Sequence, residues 1–175
     1  HELGVSDKNI IKALCNFQGI SRRFHVRGEI KINNINLTLI DDYAHHPTEI
    51  RSTFEAIRSG WPAQRLIVIY QPHRFTRMRD LFEDFSDILS QTDRLIVFDV
   101  YPAGEEPIPG SDGRSLCRAI RSRGKVDPIF LEHKESVFEI LPDVVKENDL
   151  LLTLGAGDIG SLSLQLYENY SEAIH

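Results

Sequence analysis

Ten consecutive residues of this chain, positions 41–50, begin with six, 41–46, that include two carboxylates, two imidazoles and a phenol. The segment before them has apolar residues at alternate positions (35–39), and the segment after them has apolar residues at helical spacing (50–57). The ten residues are therefore predicted to lie where a strand ends and a helix begins, the usual place for a ligand in an open α/β sheet. Asp42 could accept hydrogen bonds from ribose hydroxyls, and the imidazoles could meet phosphate or carboxylate. The pattern favours a nucleotide or metal site.

This stretch has one plainer interpretation, a helix cap, and one rival functional interpretation, a metal hydrolase. His46 could simply cap the following helix, with the acids favoured by the helix dipole, but a cap explains one or two polar residues and not five. A metal hydrolase would use the acids and imidazoles as ligands. His45 and His46 are adjacent rather than four residues apart, so they cannot chelate a metal from one helix face, and we assign no metal site. The ligands of that less favoured hydrolase would be Asp41, Asp42, His45 and His46.

A second group of candidates, within residues 71–77, follows the next buried strand. His73, Arg74 and Arg77 form a cationic cluster beside a predicted helix start, which itself attracts anions. Arginine forks suit a carboxylate or a phosphate. A solvated loop with ion pairs to Asp80 or Glu83 is the plainer alternative, and it is a good explanation for Arg79. For the other three cations together, anion binding is the better interpretation.

The third candidate is Gly155-Ala156-Gly157-Asp158-Ile159-Gly160, which fits G-x-G-x-x-G after a strand. A dinucleotide fingerprint opens the first βαβ unit and needs an acid about 20 residues further on. Only fifteen residues follow Gly160, and they have helical spacing, so NAD binding is rejected. A tight turn with Asp158 as the helix cap and a close backbone approach to an anionic ligand both remain possible. Arg22 and Arg23, before the first strand, are a weak signal by themselves.

The elements that would position these residues form an α/β pattern. Apolar strands each followed by a helix predict a mostly parallel sheet covered on both faces, and an Asn33-Asn34 hairpin adds one antiparallel edge strand. Pro142 is expected to kink or divide its helix. The predicted strands are 24–32, 35–41, 66–70, 95–98, 129–131 and 150–154. The predicted helices are 6–17, a helix with Pro47 in its first turn and Gly60 just past its end, 78–89, 114–123, 134–147 and one opened by residues 155–160.

Composition excludes several classes of function. The chain has 175 residues, 41% of them hydrophobic, and a net charge of −6, which argues against a nucleic-acid partner. Cys15 and Cys117 have no metal-site spacing and fit unpaired thiols in a reducing compartment. No apolar run reaches membrane-spanning length and no signal peptide is evident, so a cytoplasmic protein without a membrane partner is expected. The abrupt helical start suggests that His1 is a boundary within a longer protein.

Taken together, the motifs resemble the C-terminal domain of the Mur ligases, which are ATP-dependent enzymes that add amino acids to the peptidoglycan precursor. The resemblance is strongest to the members that join L-alanine to UDP-N-acetylmuramate. It implies a Rossmann-like three-layer α/β sandwich for residues 18–175 and makes residues 1–17 the trailing helix of a preceding ATPase domain. Five motifs in the same order and spacing carry it: Phe17-Gln18-Gly19-Ile20-Ser21-Arg22-Arg23-Phe24, residues 41–49, residues 71–77, Tyr101-Pro102-Ala103-Gly104-Glu105, and residues 155–160.

The resemblance also implies roles for individual residues. In the family the substrate carboxylate attacks the γ-phosphate of ATP, and the amine then displaces phosphate from the acyl phosphate. Arg23 would reach the ATP phosphates and Asp42 the ribose. Tyr43 and His45 would line the alanine pocket beside the reacting centre. The residues that would hold the alanine carboxylate and the acyl phosphate are His73, Arg74 and Arg77, and those that would close the pocket are Gly155, Ala156 and Gly157. His45, His73 and Arg74 are the expected catalytic residues.

What the chain lacks limits these expectations. It has no GxxxxGK[ST] P-loop to hold ATP phosphates. ATP and Mg²⁺ are therefore expected in the full-length enzyme but not bound stably by this chain, which is predicted to be inactive without the preceding domains. One alternative is the related recycling ligase that attaches a whole tripeptide to the same sugar acid, although residues 72–77 resemble the alanine enzyme. Another is a non-catalytic nucleotide- or peptide-binding module.

Overall fold

Six strands form one mixed sheet in the order β1-β2-β6-β3-β4-β5 in this computed structural model, which describes residues 5–15 and 21–171. Strand β1 pairs antiparallel with β2 at one edge, and all other neighbouring pairs are parallel. The predicted fold class is confirmed, including the antiparallel edge strand. The strands are β1 (His25–Ile32), β2 (Ile35–Asp42), β3 (Arg65–Tyr70), β4 (Arg94–Val97), β5 (Ile129–Phe130) and β6 (Asp149–Leu154).

The sheet is covered on both faces, as runs of consecutive apolar residues require. Successive side chains of a strand point to opposite faces. Leu66 and Val68 of β3 accordingly join one hydrophobic cluster, whereas Ile67 and Ile69 join the other. Three helices, 47–60, 82–89 and 113–122, complete the first cluster, and two, 137–144 and 159–171, complete the second. The result is three layers, helix on sheet on helix.

The helices agree with the sequence pattern except in two places. Both places are taken up below. For the helix predicted at 6–17, the structure shows α1 up to Cys15, and residues 16–17 lie outside the described residues. No described helix combines the length and the hydropathy that crossing a membrane requires. The α-helices are α1 (Asp7–Cys15), α2 (Pro47–Gly60), α3 (Phe75–Asp80), α4 (Phe82–Leu89), α5 (Gly113–Ser122), α6 (Val137–Val144) and α7 (Ile159–Ser171).

The single helix predicted at 78–89 is wrong, because two helices, α3 and α4, cover this region. Leu81 lies between them with φ −121° and ψ 24°, outside helical geometry. Its N–H still donates to the carbonyl of Arg77 at 3.0 Å, and its own carbonyl accepts from Phe85 at 2.9 Å. The apolar face therefore continues across the break at Leu81, so the apolar spacing in the sequence does not reveal that break.

The helix predicted at 134–147 is also shorter than expected. It begins with a 3₁₀ turn at Lys134–Ser136, and α6 then ends at Val144. Pro142 lies inside α6 and does not divide it. Beyond the helix, the amide of Lys146 donates to the Asp149 carboxylate at 2.7 Å, and this carboxylate also accepts a forked pair of hydrogen bonds from Arg65. The chain thus leaves the helix early to enter β6.

We predict that Gly113→Ala destabilises the fold by about 1–3 kcal/mol, because its Cβ would press on the carbonyl of Phe98 and come 2.9 Å from the Phe130 ring. Gly60→Ala is the matched control, since no heavy atom lies within 4 Å of a Cβ there. It should be neutral or stabilising by up to about 1 kcal/mol. Urea unfolding of both variants measures the difference, and equal stabilities would contradict this account of α5 packing.

Candidate functional site

The three candidate segments meet at one edge of the sheet, where β2, β6 and β3 end side by side. The amide of Gly155, just after β6, donates to the carbonyl of Asp42 at 3.1 Å. The amide of Gln71, just after β3, donates to the carbonyl of Leu154 at 3.0 Å. Because β6 lies between β2 and β3, the last strand of the chain joins two segments that the sequence separates.

The β2–α2 corner (residues 42–46) is held by its own hydrogen bonds. The buried Asp42 carboxylate accepts from the Ala44 amide at 3.0 Å and from the Thr53 hydroxyl at 2.8 Å. His46 caps α2 in a capping box with Glu49, as the plainer interpretation of His46 expected. A carboxylate offers about four acceptor positions, so Asp42 retains capacity for a ligand hydroxyl.

Glu49 lies at the centre of the charges in this corner. It accepts from the amides of His45 at 3.0 Å and His46 at 3.3 Å, and one oxygen lies 3.8 Å from Arg23. Burial raises the pKa of the Glu49 carboxyl, but the hydrogen bond from His45, the charge of His45 and the proximity of Arg23 together hold that pKa below its ordinary value. Glu49 is thus kept ionised and restrains Arg23.

A cleft of about 390 Å³ opens beside this corner, and we call it the Arg23–Asp42 cleft. Both residues that the sequence assigned to the nucleotide line it, together with the apolar Phe24 and Ala56. The arginine supplies a cation, and its side chain is 54% exposed. The full lining is Arg23, Phe24, Asp42, Ala44, Glu49, Ser52, Thr53 and Ala56.

A row of rings runs from this corner across the strand ends. Tyr43 meets His45 edge-on at 5.4 Å between ring centroids, and His45 lies 5.9 Å from His73. His73 in turn stacks on Tyr101 at 5.6 Å, with an angle of 8° between the ring planes. Three of these rings were site candidates, and Tyr101 is a fourth that the sequence did not assign.

The predicted cation cluster is only partly assembled. Arg77 donates to the carbonyl of His73 at 3.1 Å, and the same nitrogen lies 3.2 Å from His73 Nδ1. Arg74 is half exposed and faces Glu105 at 3.8 Å. Its backbone has φ 72° and ψ 130°, a left-handed value for a non-glycine residue, and its amide is held by the carbonyl of Tyr101 at 2.9 Å. Such strain is common at functional sites.

His73 is held in its neutral form by its surroundings. Burial lowers the pKa of the imidazole, and the charge of Arg77 lowers it further, followed by those of His45 and Arg74. A guanidinium can only donate, so its contact with Nδ1 requires that nitrogen to be unprotonated. His73 can then present Nε2–H as a neutral donor.

The glycine turn (residues 155–157) packs against Gln71 and Tyr101. A Cβ on Gly155, whose φ is 144°, would lie 2.5 Å from the carbonyl of Gln71, and a Cβ on Gly157 would lie 2.8 Å from Cβ of Tyr101. Glycine is thus required at position 155 by the positive φ and the close carbonyl, and at position 157 by the contact with Tyr101. Arg22 donates to the carbonyls of Gly155 at 2.7 Å and Gly157 at 3.3 Å.

Asp158 does not act as the simple helix cap that one interpretation expected. Its carboxylate accepts from the Gln71 side-chain amide at 2.8 Å and pairs with Lys134. The first amide of α7, that of Ile159, donates instead to the side-chain oxygen of Gln71 at 3.1 Å. Gln71, which follows β3, therefore caps α7. Because the two are distant in sequence, no local pattern indicates this cap.

Sequence reasoning therefore missed three residues that build the site edge, namely Arg22, Gln71 and Tyr101. All three lay within motifs that were recognised, so a signal existed for each. Arg22 was set aside because an exposed arginine is commonplace, whereas its side chain is only 23% exposed. Its function depends on contacts more than 130 positions away in sequence.

The four possible ligands of a metal hydrolase do not converge. Asp41 accepts from Arg27 at 2.9 Å and from Thr153 at 3.0 Å, and His46 Nδ1 accepts the amide of Thr48. Within residues 5–15 and 21–171, no group of three or more His, Cys, Asp or Glu side chains could hold a metal ion. This geometry disfavours the hydrolase.

The site joins an edge that carries His73, Arg74 and Arg77 to a cleft lined by an acid and a cation, on a three-layer α/β domain. Residues 22–157 match the family of the Mur ligase, glutamate ligase domain, which is the C-terminal domain of those enzymes. The chain belongs to this family. The resemblance seen in the motifs is thereby confirmed.

Within the family, the chain is similar to alanine-adding ligases. It is 53% identical over 174 residues to the UDP-N-acetylmuramate–L-alanine ligase of Methylococcus capsulatus, which covers 99% of this chain and 37% of that protein. The crystal structure of the UDP-N-acetylmuramate–alanine ligase MurC from Thermotoga maritima superposes with a TM-score of 0.75 at 28% identity, covering 98% of this chain and 35% of that one. This chain thus spans a little over a third of the length of these relatives.

A third relative was solved as a domain. It comes from a putative UDP-N-acetylmuramate:L-alanyl-γ-D-glutamyl-meso-diaminopimelate ligase of Haemophilus ducreyi. It superposes with a TM-score of 0.56 at 26% identity and covers 84% of this chain and 98% of that chain. The alanine-adding ligases are therefore the better match on both identity and superposition.

We predict that Arg77→Gln raises the pKa of His73, which burial and Arg77 hold below the ordinary 6.5. Removing the guanidinium removes a repulsive charge, so the imidazole takes up its proton at a higher pH. Arg79→Gln is the matched control, because Arg79 pairs with the exposed Asp80. NMR titration of the His73 ring measures both variants, and the same pKa for both would refute the assignment.

Proposed function

We propose that this chain is the amino-acid-binding domain of an ATP-dependent ligase that joins L-alanine to UDP-N-acetylmuramate in peptidoglycan synthesis. One observation carries the proposal. The His73–Arg77 pair and the Arg23–Asp42 cleft open on the same sheet edge, separated by the rings of Tyr43 and His45. The 53% identity to an alanine-adding ligase supports it.

The Arg23–Asp42 cleft is the nucleotide side of this proposal. Asp42 is held by Ala44 and Thr53 in a fixed orientation and accepts hydrogen bonds from the ribose of ATP. Arg23 leaves its 3.8 Å contact with Glu49 to reach the ATP phosphates. An exposed ion pair of this kind is worth little, so the arginine is exchanged between partners at small cost.

The cationic side takes the amino acid. His73, Arg74 and Arg77 hold the alanine carboxylate and the acyl-phosphate end, since guanidinium forks suit both groups. Tyr43 and His45 line the pocket, and Gly155, Ala156 and Gly157 close it beneath the amino acid. Because His73 stays neutral, it donates a hydrogen bond without repelling the two arginines.

The catalytic role of His45, His73 and Arg74 follows from the charge that develops during amide formation. The neutral amine attacks the acyl carbon and the carbonyl oxygen becomes negative. The carbonyl then reforms as inorganic phosphate leaves, and the proton that the amine loses goes to this phosphate. Donors placed in advance around this charge lower the barrier because they need no reorganisation. The strained backbone of Arg74 and the Glu105 contact hold one such donor ready.

The other half of the site belongs to domains outside this chain. Residues 1–17 are proposed to be the trailing helix of an ATPase domain, and within α1 the side chain of Ile11 is 59% exposed, as expected if a further domain covers it. ATP and Mg²⁺ are held mainly there, because the described residues offer no P-loop and no metal-ligand cluster. Mg²⁺, when bound, shields the phosphate charges during transfer.

We predict that this chain restores activity when it replaces the matching segment of the Methylococcus capsulatus ligase. The chimera should form UDP-N-acetylmuramoyl-L-alanine and release ADP. Arg77→Gln should lower kcat/KM for L-alanine roughly 10- to 100-fold, because a hydrogen bond to a charged group contributes about 1.5–3 kcal/mol. Mass spectrometry of the product and a coupled ADP assay measure both.

Two controls make that assay decisive. Arg79→Gln, on the same helix but paired with exposed Asp80, should retain full activity. The tripeptide L-alanyl-γ-D-glutamyl-meso-diaminopimelate should give no product in place of L-alanine. Preference for the tripeptide would assign the recycling reaction instead, and an inactive chimera that folds would overturn the proposal.

We also predict that the chain by itself neither hydrolyses ATP nor forms the amide, because it has no P-loop to hold the phosphates. The measurement is ADP release at saturating ATP, Mg²⁺, L-alanine and UDP-N-acetylmuramate. Isothermal titration with ATP should show no tight binding. Turnover would contradict this prediction, and tight ATP binding without turnover would favour the non-catalytic nucleotide-binding module.

A further inference from the structure

Arg22 lies where the β2–α2 corner and the glycine turn meet, although its neighbour Arg23 carries the nucleotide role proposed above. Its main-chain carbonyl accepts the amide of Tyr43 at 2.6 Å, which ties it to the β2–α2 corner. Its guanidinium donates to the carbonyls of Gly155 and Gly157, which ties it to the glycine turn. The carbon of the same guanidinium lies 5.0 Å from the centroid of the Tyr43 ring, at cation–π distance.

The guanidinium also lies beside a buried acid, which balances its charge. Asp41 is completely buried, and one of its oxygens lies 3.5 Å from Arg22 Nε and 2.9 Å from Arg27. Its other oxygen accepts from Thr153 at 3.0 Å. A buried carboxylate needs such partners, so it holds both arginines in place.

The space around the guanidinium is also filled. A Cβ on Gly160, in the first turn of α7, would come within 2.6 Å of the Arg22 guanidinium carbon. The glycine thus leaves room for the arginine between α7 and β2. Backbone carbonyls, a buried acid, an aromatic ring and a helix surround one side chain, which is more than a solvated arginine requires.

We propose that Arg22 is a positioning residue for the amino-acid side of the site. Anchored by Asp41, it holds the glycine turn and the Tyr43 ring at a constant separation, so that the two walls of the alanine pocket keep their spacing. The amino-acid part of this statement rests on the proposed function. The statement that Arg22 holds the glycine turn does not rest on the proposed function, so it can be tested separately.

The first test uses the chain itself and needs no ligand. In Arg22→Gln the ¹⁵N order parameters of residues 155–157 should fall from about 0.85 to below about 0.6, because the carbonyls lose their donors. Arg27→Gln is the matched control. It removes a second arginine from the same Asp41 carboxylate, but Arg27 otherwise donates to Ser163 and not to the turn. Its order parameters at 155–157 should stay near 0.85.

The second test uses the chimeric ligase. Arg22→Gln should raise the KM for L-alanine at least about tenfold, the factor that corresponds to about 1.4 kcal/mol, and leave the KM for ATP unchanged. Gly160→Ala should reproduce this effect, because the added methyl displaces Arg22, although alanine is the better helix former. Arg22→Lys, which keeps the charge but not the fork, should restore part of the affinity.

Each result decides a different statement. Unchanged order parameters in Arg22→Gln, or an equal fall in Arg27→Gln, would overturn the positioning role, whatever the enzyme does. An equal rise in both KM values would show that Arg22 only stabilises the fold, and would overturn the role too. An inactive chimera with a mobile turn in Arg22→Gln alone would overturn the proposed function and leave the holding of the turn supported.

Discussion

The insertion of β6 between β2 and β3 brings the three candidate segments to one edge of the sheet. All six residues of β6 are buried, and each face of the strand contributes to a different hydrophobic cluster. Its parallel register with both neighbours, Ile40 beside Leu152 and Leu152 beside Val68, makes the three strands end together. A shift of one residue would turn every side chain of β6 to the opposite face, so the register is strongly specified. The alignment of the three strand ends at one edge follows from this register.

The charged groups at this edge lie at two depths. Asp41 is completely buried with two arginines, whereas Asp42, one residue further along β2, faces the Arg23–Asp42 cleft. Adjacent residues of a strand point to opposite faces, so neighbouring carboxylates perform different tasks. The first is a structural acid that holds Arg22 and Arg27. The second is restrained by backbone and hydroxyl donors and keeps acceptor capacity for a ligand.

The site edge is built largely from contacts that cross between strands. Gln71 caps α7, Glu105 accepts the amide and hydroxyl of Thr76 at the start of α3, and Tyr101 stacks on His73. These contacts hold His73 and Arg74 in place. Arg23 and Arg74, at the same edge, are half exposed. In the proposed ligase, these two accessible cations would meet the phosphates carried by a second domain.

Several features could be predicted from the sequence: the α/β class, the antiparallel hairpin at the edge, most helix and strand positions, and the three segments that carry polar chemistry. They were predictable because apolar spacing, caps and turn residues are local properties. Three others became visible in the folded chain alone: β6 enters between β2 and β3, the helix predicted at 78–89 breaks at Leu81, and Arg22 reaches the glycine turn. No local pattern encodes these features, since each depends on packing and hydrogen bonds between residues distant in sequence, or on a backbone bend that leaves the apolar spacing unchanged.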